Sequence, residues 1–351
     1  MTLRSLALCA IALAPGCLLT DEPDDTTAQT TQAAGGGGNC DEFMCGTNSP
    51  EIAEFGFWDL QVPPAWGTYG SPNNVGLKMA FFRKNDGFYL PRVVAGRLIA
   101  NPVAVTPPYN VPLTGQGLIG GAFWLVNGTR LFQLRIADVG RIESWAQRTD
   151  NALVMLETYK LDWTEFLGAW GDFRSVCKHP PSRSNPDALG MVGAASFHSL
   201  LFEGDRIHAA QRVDLGVDTT WFNIGCAGSA LAKMALTGHT HASRVSGAFI
   251  TSLNERTAML KLLSADYCEL GTPFTVGGQP LNWRDDRGTM ELLAPPQPVA
   301  LEARWNEHGA ICLNKPRVEI NRRNGRIKIS GQAKFKGECH TGEFGDPRNR
   351  F

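Results

Sequence analysis

"RLFQLRIADV", Arg130 to Val139, is the stretch that decides the fold class. Phe132, Leu134 and Ile136 fall on one face, while Gln133 and Arg135 fall on the other. A period of two residues is the signature of a half-buried β-strand, because successive side chains leave a strand in opposite directions. Outward from this run the same reading extends to "GLKMAFF", "RVVAGRLIA", "GAFWLV" and "ALVMLETYKL", with Gly and Pro between them to supply turns. Residues 75 to 160 are therefore predicted to be β-rich. No internal repeat at a fixed period is present.

Further along, "PPSRSNPDAL" (Pro180 to Leu189) is a loop by composition, and strands are predicted around "SFHSLLF", "IHAAQRVDL" and "WFNIGC". "GSALAKMALTG" reads as a short helix that Gly238 ends. Phe249, Leu253, Leu260 and Leu263 recur at helical spacing and predict a longer helix with one apolar stripe. A connection through "HTHASRVSG" lets the two helices pack antiparallel. "VEINRRNGRIKIS" predicts a hairpin turning at Asn324-Gly325, with Val318, Ile320, Ile327 and Ile329 on one face. After Lys334 the chain is polar and reads as a loose tail. The expected class is α+β: a β-rich body with a late antiparallel helical hairpin, stapled by disulfides.

The 351-residue chain is 43% hydrophobic and 19% charged, which suits a core-forming globular protein. Its net charge of −1, with no run of Lys and Arg, argues against nucleic-acid binding. The N-terminus reads as a targeting signal, "MTLR" supplying positive charge and "SLALCAIALAP" the apolar core. That core is short of the about 20 residues needed to span a bilayer. Gly16-Cys17 in "LAPGC" resembles the lipobox of bacterial lipoproteins, although Pro15 departs from the usual small residue. In such proteins the cysteine is lipidated and becomes the new N-terminus. Leu18 follows it rather than the Asp that retains enteric lipoproteins in the inner membrane, which points to the outer membrane. "LLTDEPDDTTAQTTQAAGGGGN" is polar and aperiodic, and reads as a flexible tether. The expected organisation is a signal peptide over 1–16, a tether over 17–39, a β-rich part over 40–155, a second part over 156–335 and a tail over 336–351.

Of the nine cysteines, Cys9 leaves with the signal and Cys17 carries lipid. Cys40, Cys45, Cys177, Cys226, Cys268, Cys312 and Cys339 remain, an odd number in a chain bound for an oxidising compartment, where disulfides are the default.

"CGTNSP", "FNIGCAGSALAK", "ADYCELGTPFTVGG" and "ARWNEHGAICL" together resemble the ADYC-domain proteins, exported and often lipidated proteins found mainly in myxobacteria. The resemblance spans most of the mature chain, makes 156–335 an ADYC-like domain, and is strongest from Ser196 to Arg317. It implies an address in the cell envelope and no particular chemistry. Where relatives carry a cysteine after the helix lysine, this chain has Met234; where they carry one six residues before the motif's alanine, it has Met259. If those missing cysteines were partners across antiparallel helices, the resemblance implies that Cys226 and Cys268 meet on the same seam and form a disulfide.

Each chemical candidate has a structural counterpart. Cys226 lies just before a helix, where a thiol pKa falls, and His198, His208 or His239 could serve as its base; a structural disulfide is the alternative. His239 and His241, with Cys177 and His179 or Cys339 and His340, are metal-ligand types, but no C-x-x-C or H-E-x-x-H spacing is present and loop histidines are the alternative. Asp266, Asp285 and Asp286 offer carboxylates without a calcium-loop pattern, and Asp266 is expected to bond backbone amides at the helix end. Trp221, Trp283 and Trp305 either line a sugar-binding face or pack in the core. No cofactor is expected. Two functions follow: a non-enzymatic lipoprotein that binds an envelope protein or glycan, or an exported hydrolase using Cys226 or an Asp/His group.

Overall fold

The structure is a computed structural model of the chain and describes residues 50–104, 110–146, 154–167, 169, 171–177, 198–207, 218–241, 251–266 and 303–313. Strands β1 (Glu51–Ile52) and β2 (Phe55–Gly56) form a small ribbon. Eleven strands join in one antiparallel sheet. They are β3 (Asp59–Gln61), β4 (Lys78–Lys84), β5 (Gly87–Val94), β6 (Arg97–Pro102), β7 (Leu113–Thr114), β8 (Ala122–Asn127), β9 (Arg130–Glu143), β10 (Met155–Glu165), β11 (Arg174–Ser175), β12 (His198–Gly204) and β13 (Asp218–Cys226). Their spatial order is β3-β13-β12-β10-β9-β8-β4-β5-β6-β7, with β11 also paired to β10. Helices α1 (Ala230–Leu236) and α2 (Leu253–Ser264) and the hairpin of β14 (Ala303–Asn306) and β15 (Gly309–Leu313) form a second layer. The molecule is thus β-rich with two helices, as expected.

The period-two reading holds from Leu131 to Ile136; at Ala137 a β-bulge shifts the register, so that Asp138 faces out and Val139 in. Phe132, Leu134 and Ile136 are fully buried, while Gln133 and Arg135 lie on the other face at intermediate exposure. "RVVAGRLIA" is not one strand but the turn of the β5–β6 hairpin. Ala95 and Gly96 both take positive φ, and their N–H groups donate to the Glu203 carboxylate at 2.6 and 3.2 Å. That buried glutamate lies on β12, so the hairpin tip docks across the sheet from its own strands. Tyr159 on β10 spans the same interior, its hydroxyl accepting from Leu98 N–H at 2.8 Å and donating to Glu157 at 2.7 Å. The sheet therefore curls back on itself. Inside the curl sit Phe82, Phe123, Phe132, Phe222, Tyr89 and Leu98, each large ring or aliphatic chain worth about 1.5–3 kcal/mol when buried.

β12 is buried along its whole length because it faces two cores. Leu201 enters the interior of the curl, while Leu200 and Phe202 face the helices and meet Met234, Leu236, Leu260, Leu263 and Trp305. Met234 and Met259 both belong to this helix-side core. Ser229 caps α1 by accepting Ala232 N–H, and Ser252 with Glu255 forms a capping box on α2. The single apolar stripe expected of α2 is corrected here. From Arg256 to Ser264 every residue is buried, so this helix is an interior element and not a surface one. Phe249, the segment "IHAAQRVDL" beyond Ile207, the Asn324-Gly325 hairpin and the tail lie outside the described residues.

Candidate functional site

Cys177 and Cys226 form a disulfide with their Cα atoms 5.4 Å apart, and both residues are fully buried. β13 ends at Cys226, opposite Ser199 of β12, and the chain reaches Cys177 directly after β11, which pairs with β10 through Asp162 and Ser175. This corrects the pairing of Cys226 with Cys268 that the resemblance implied: Cys226 is bonded across the sheet, not along the helix pair. It also removes Cys226 as a nucleophile, since a disulfide sulfur carries no thiolate. Cys312 falls on β15. Cys17, Cys40, Cys45, Cys268 and Cys339 lie outside the described residues, as do His179, His208, His340, Trp283, Asp285 and Asp286.

Helix α2 brings charge into the interior. Arg256 and Asp205 are 2% and 0% exposed, with Nε 2.7 Å from one carboxylate oxygen and an Nη donating to the other at 2.9 Å. Arg256 also donates to the Thr251 carbonyl. Burial pushes the Asp205 carboxyl up, and the Arg256 guanidinium pulls it back down. At the other end of α2, Ala265 adopts the left-handed conformation with φ 56°. Ala265 N–H donates to Leu262 and Asp266 N–H to Lys261, a Schellman-type ending with alanine where glycine is usual. The Asp266 carboxylate lies 3.8 Å from Lys261 Nζ, both fully buried. Asp266 was expected to bond backbone amides at the helix end; its backbone closes the helix, and its side chain serves as the interior counter-ion of Lys261.

His198 on β12 is buried, its Nδ1 3.0 Å from the Thr158 hydroxyl and its Nε2 3.5 Å from a carboxylate oxygen of Asp138. Burial lowers its pKa from the ordinary 6.5, with Asp138 opposing the shift. The unfolded chain therefore takes up this proton first, and stability is expected to fall as pH drops below about 6.5. Urea unfolding at pH 7.5 and pH 5 checks this: His198→Gln should show a smaller loss between the two pH values than the parent. Equal losses would exclude His198 as the source.

His239 is buried beside Thr237 rather than solvated, and His241 packs its ring on Gly204. Among the described residues no three His, Cys, Asp or Glu side chains gather as a metal site. Trp221 and Trp305 are buried, Trp221 beneath the Arg206 guanidinium at 3.7 Å and Trp305 in the helix-side core. They do not form a sugar-binding face.

The exposed aromatic residues are different ones. Trp66, 44% exposed, lies with its ring centroid 4.6 Å from Phe88 and 6.0 Å from Phe81. Phe81 in turn stacks on Trp124 at 5.3 Å, its cross-strand neighbour from β4 to β8. These four rings are half-buried or exposed on the outside of the sheet. The same face carries Arg83, Gln133 and Arg135, with Arg135 lying 3.7 Å over the half-exposed ring of Phe173. Sequence reasoning missed this cluster because it looked for tryptophans near the family motif. The signal available was the pairing of "AFF" with "AFW", each placing one ring inward and one outward.

Residues 115–319 match the ADYC domain family, and since this is more than half of the chain, the protein belongs to that family. No curated protein and no solved structure matches it.

Proposed function

We propose that this ADYC-domain protein is an exported lipoprotein of the cell envelope, anchored to a membrane through Cys17, whose body binds a partner without catalysing a reaction. The observation that carries the reading is the buried Cys177–Cys226 disulfide, because such bonds form and persist in oxidising compartments. That agrees with an N-terminus in which a basic start, an apolar run and Gly16-Cys17 follow in order. Residues 17–39 serve as the tether, and α1 and α2 pack as an antiparallel hairpin over the sheet. The disulfide also weighs against a cysteine hydrolase. Among the described residues the hydroxyl–histidine pairs, Thr158 with His198 and Thr237 with His239, are buried, at 1% and 3% and at 0% and 3% exposure, where substrate does not reach. Its partner is an envelope protein or a glycan. Cys17→Ser is expected to move the protein from the membrane fraction to the soluble one after cell lysis. Unchanged fractionation would overturn the anchor.

A further inference from the structure

We infer that Phe166 and Leu167, at the tip of the β10–β11 hairpin, rest in the headgroup boundary of the membrane that holds the Cys17 lipid. The inference rests on the anchored reading above and adds which end of the body meets the bilayer. β10 and β11 run antiparallel, with Trp163 opposite Arg174 and Asp162 opposite Ser175. Beyond the pairing, Phe166 is 43% exposed and Leu167 79%, the highest value for a large apolar side chain among the described residues. Exposed connections are normally polar, yet "FLGAWG", residues 166–171, holds no charged residue. The backbone here is paired from within. Phe166 N–H donates to the Leu131 carbonyl at 2.9 Å and Leu167 N–H to the Ala169 carbonyl at 3.1 Å. The Thr164 hydroxyl donates to the Gly171 carbonyl at 2.8 Å. Apolar side chains turned outward over a satisfied backbone are what a medium of low polarity requires.

The place where the chain enters the body selects the occupant. Cys17 and Pro50 are 33 positions apart, and a random chain of that length spans about 30 Å. An anchor at Cys17 therefore holds the body at the bilayer at an effective concentration on the order of millimolar, where weak apolar contact suffices to orient it. The body begins beside this same tip. Glu51 N–H donates to the Val176 carbonyl at 3.0 Å, directly after β11. Glu54, in the turn between β1 and β2, shares Arg130 with Glu165, the residue before Phe166. The bilayer is thus the partner that the anchor brings to this end. Met155, at the far end of the 11-residue β10, lies about 30 Å away. Around the tip Glu54, Glu165 and Asp172 outnumber Arg130 and Arg174, so the contact is apolar and draws nothing from anionic lipid.

The test places a benzophenone amino acid at position 167, or at the exposed position 155 as control, in the full chain carrying its anchor. The protein is illuminated in phosphatidylcholine vesicles and in the membrane fraction of its own cells, and the adducts are read by mass spectrometry. Lipid adducts are expected at position 167 in at least fivefold excess over position 155, with no rise when phosphatidylglycerol is added. Phe166→Ser should lower the yield at 167 several-fold while membrane fractionation and the thermal melt stay unchanged. Equal yields at 167 and 155 overturn the docking and leave the anchor standing, as does an adduct with an envelope protein in place of lipid. A parent chain that fails to enter the membrane fraction overturns the anchor and this inference with it.

Discussion

Asp205→Ala is expected to lower the unfolding free energy by about 3–5 kcal/mol, because it leaves the Arg256 guanidinium charged and buried without its counter-ion. Asp205 follows directly on β12, and Arg256 lies in the first turns of α2, so the pair bolts the helical layer to the sheet. Asn223 of β13 donates to the Asp205 carbonyl at 2.6 Å, which fixes that segment from a second strand. Arg256 also holds the Thr251 carbonyl just ahead of the α2 cap, so its loss frees the helix start as well. The pair itself need not be worth so much: desolvating two charges offsets much of their attraction. A double variant, Asp205→Leu with Arg256→Met, should therefore recover most of what Asp205→Ala loses. Denaturant unfolding of the parent, the single and the double variant reads this coupling directly. A loss below about 1 kcal/mol for Asp205→Ala would mean that water or another group reaches Arg256.

Cys177→Ala with Cys226→Ala is expected to cost about 4 kcal/mol, the chain-entropy value for a closed loop of 49 residues. Both residues are buried and small, so alanine refills most of their volume and the effect falls mainly on the unfolded chain. The thermal midpoint should drop by about 10 °C, given roughly 2–4 °C per kcal/mol for chains of moderate size. The oxidised parent should also bind no thiol reagent at either position until unfolded in the presence of reductant. Rapid alkylation of Cys226 in the native protein would contradict the bond and reopen the nucleophile reading.

The strands were legible because a strand announces itself locally. Phe132, Leu134 and Ile136 alternate with Gln133 and Arg135 whatever lies opposite them. The short helix ended by Gly238 was legible for the same reason: Gly238 has a φ of 76°, beyond the Thr237 cap. The β5–β6 turn was not, since Ala95 is no turn residue in itself. What holds it at positive φ is Glu203, 108 positions further along the chain. Residue types likewise failed to foretell the fates of α2 and of the tryptophans. Arg256 and Lys261 look like a solvated face until Asp205 and Asp266 meet them inside, and Trp221 looks available until Arg206 covers it.

The sequence by itself determined the β-rich class, the two helices, the family and the presence of disulfide chemistry, all properties of local pattern and composition. Tertiary structure alone decided which cysteine meets Cys226, which charges go inside and which aromatic rings stay out. Those outcomes depend on strand order and on the curl of the sheet, and both arise from contacts between residues dozens of positions apart, whose closeness leaves no periodic trace along the chain.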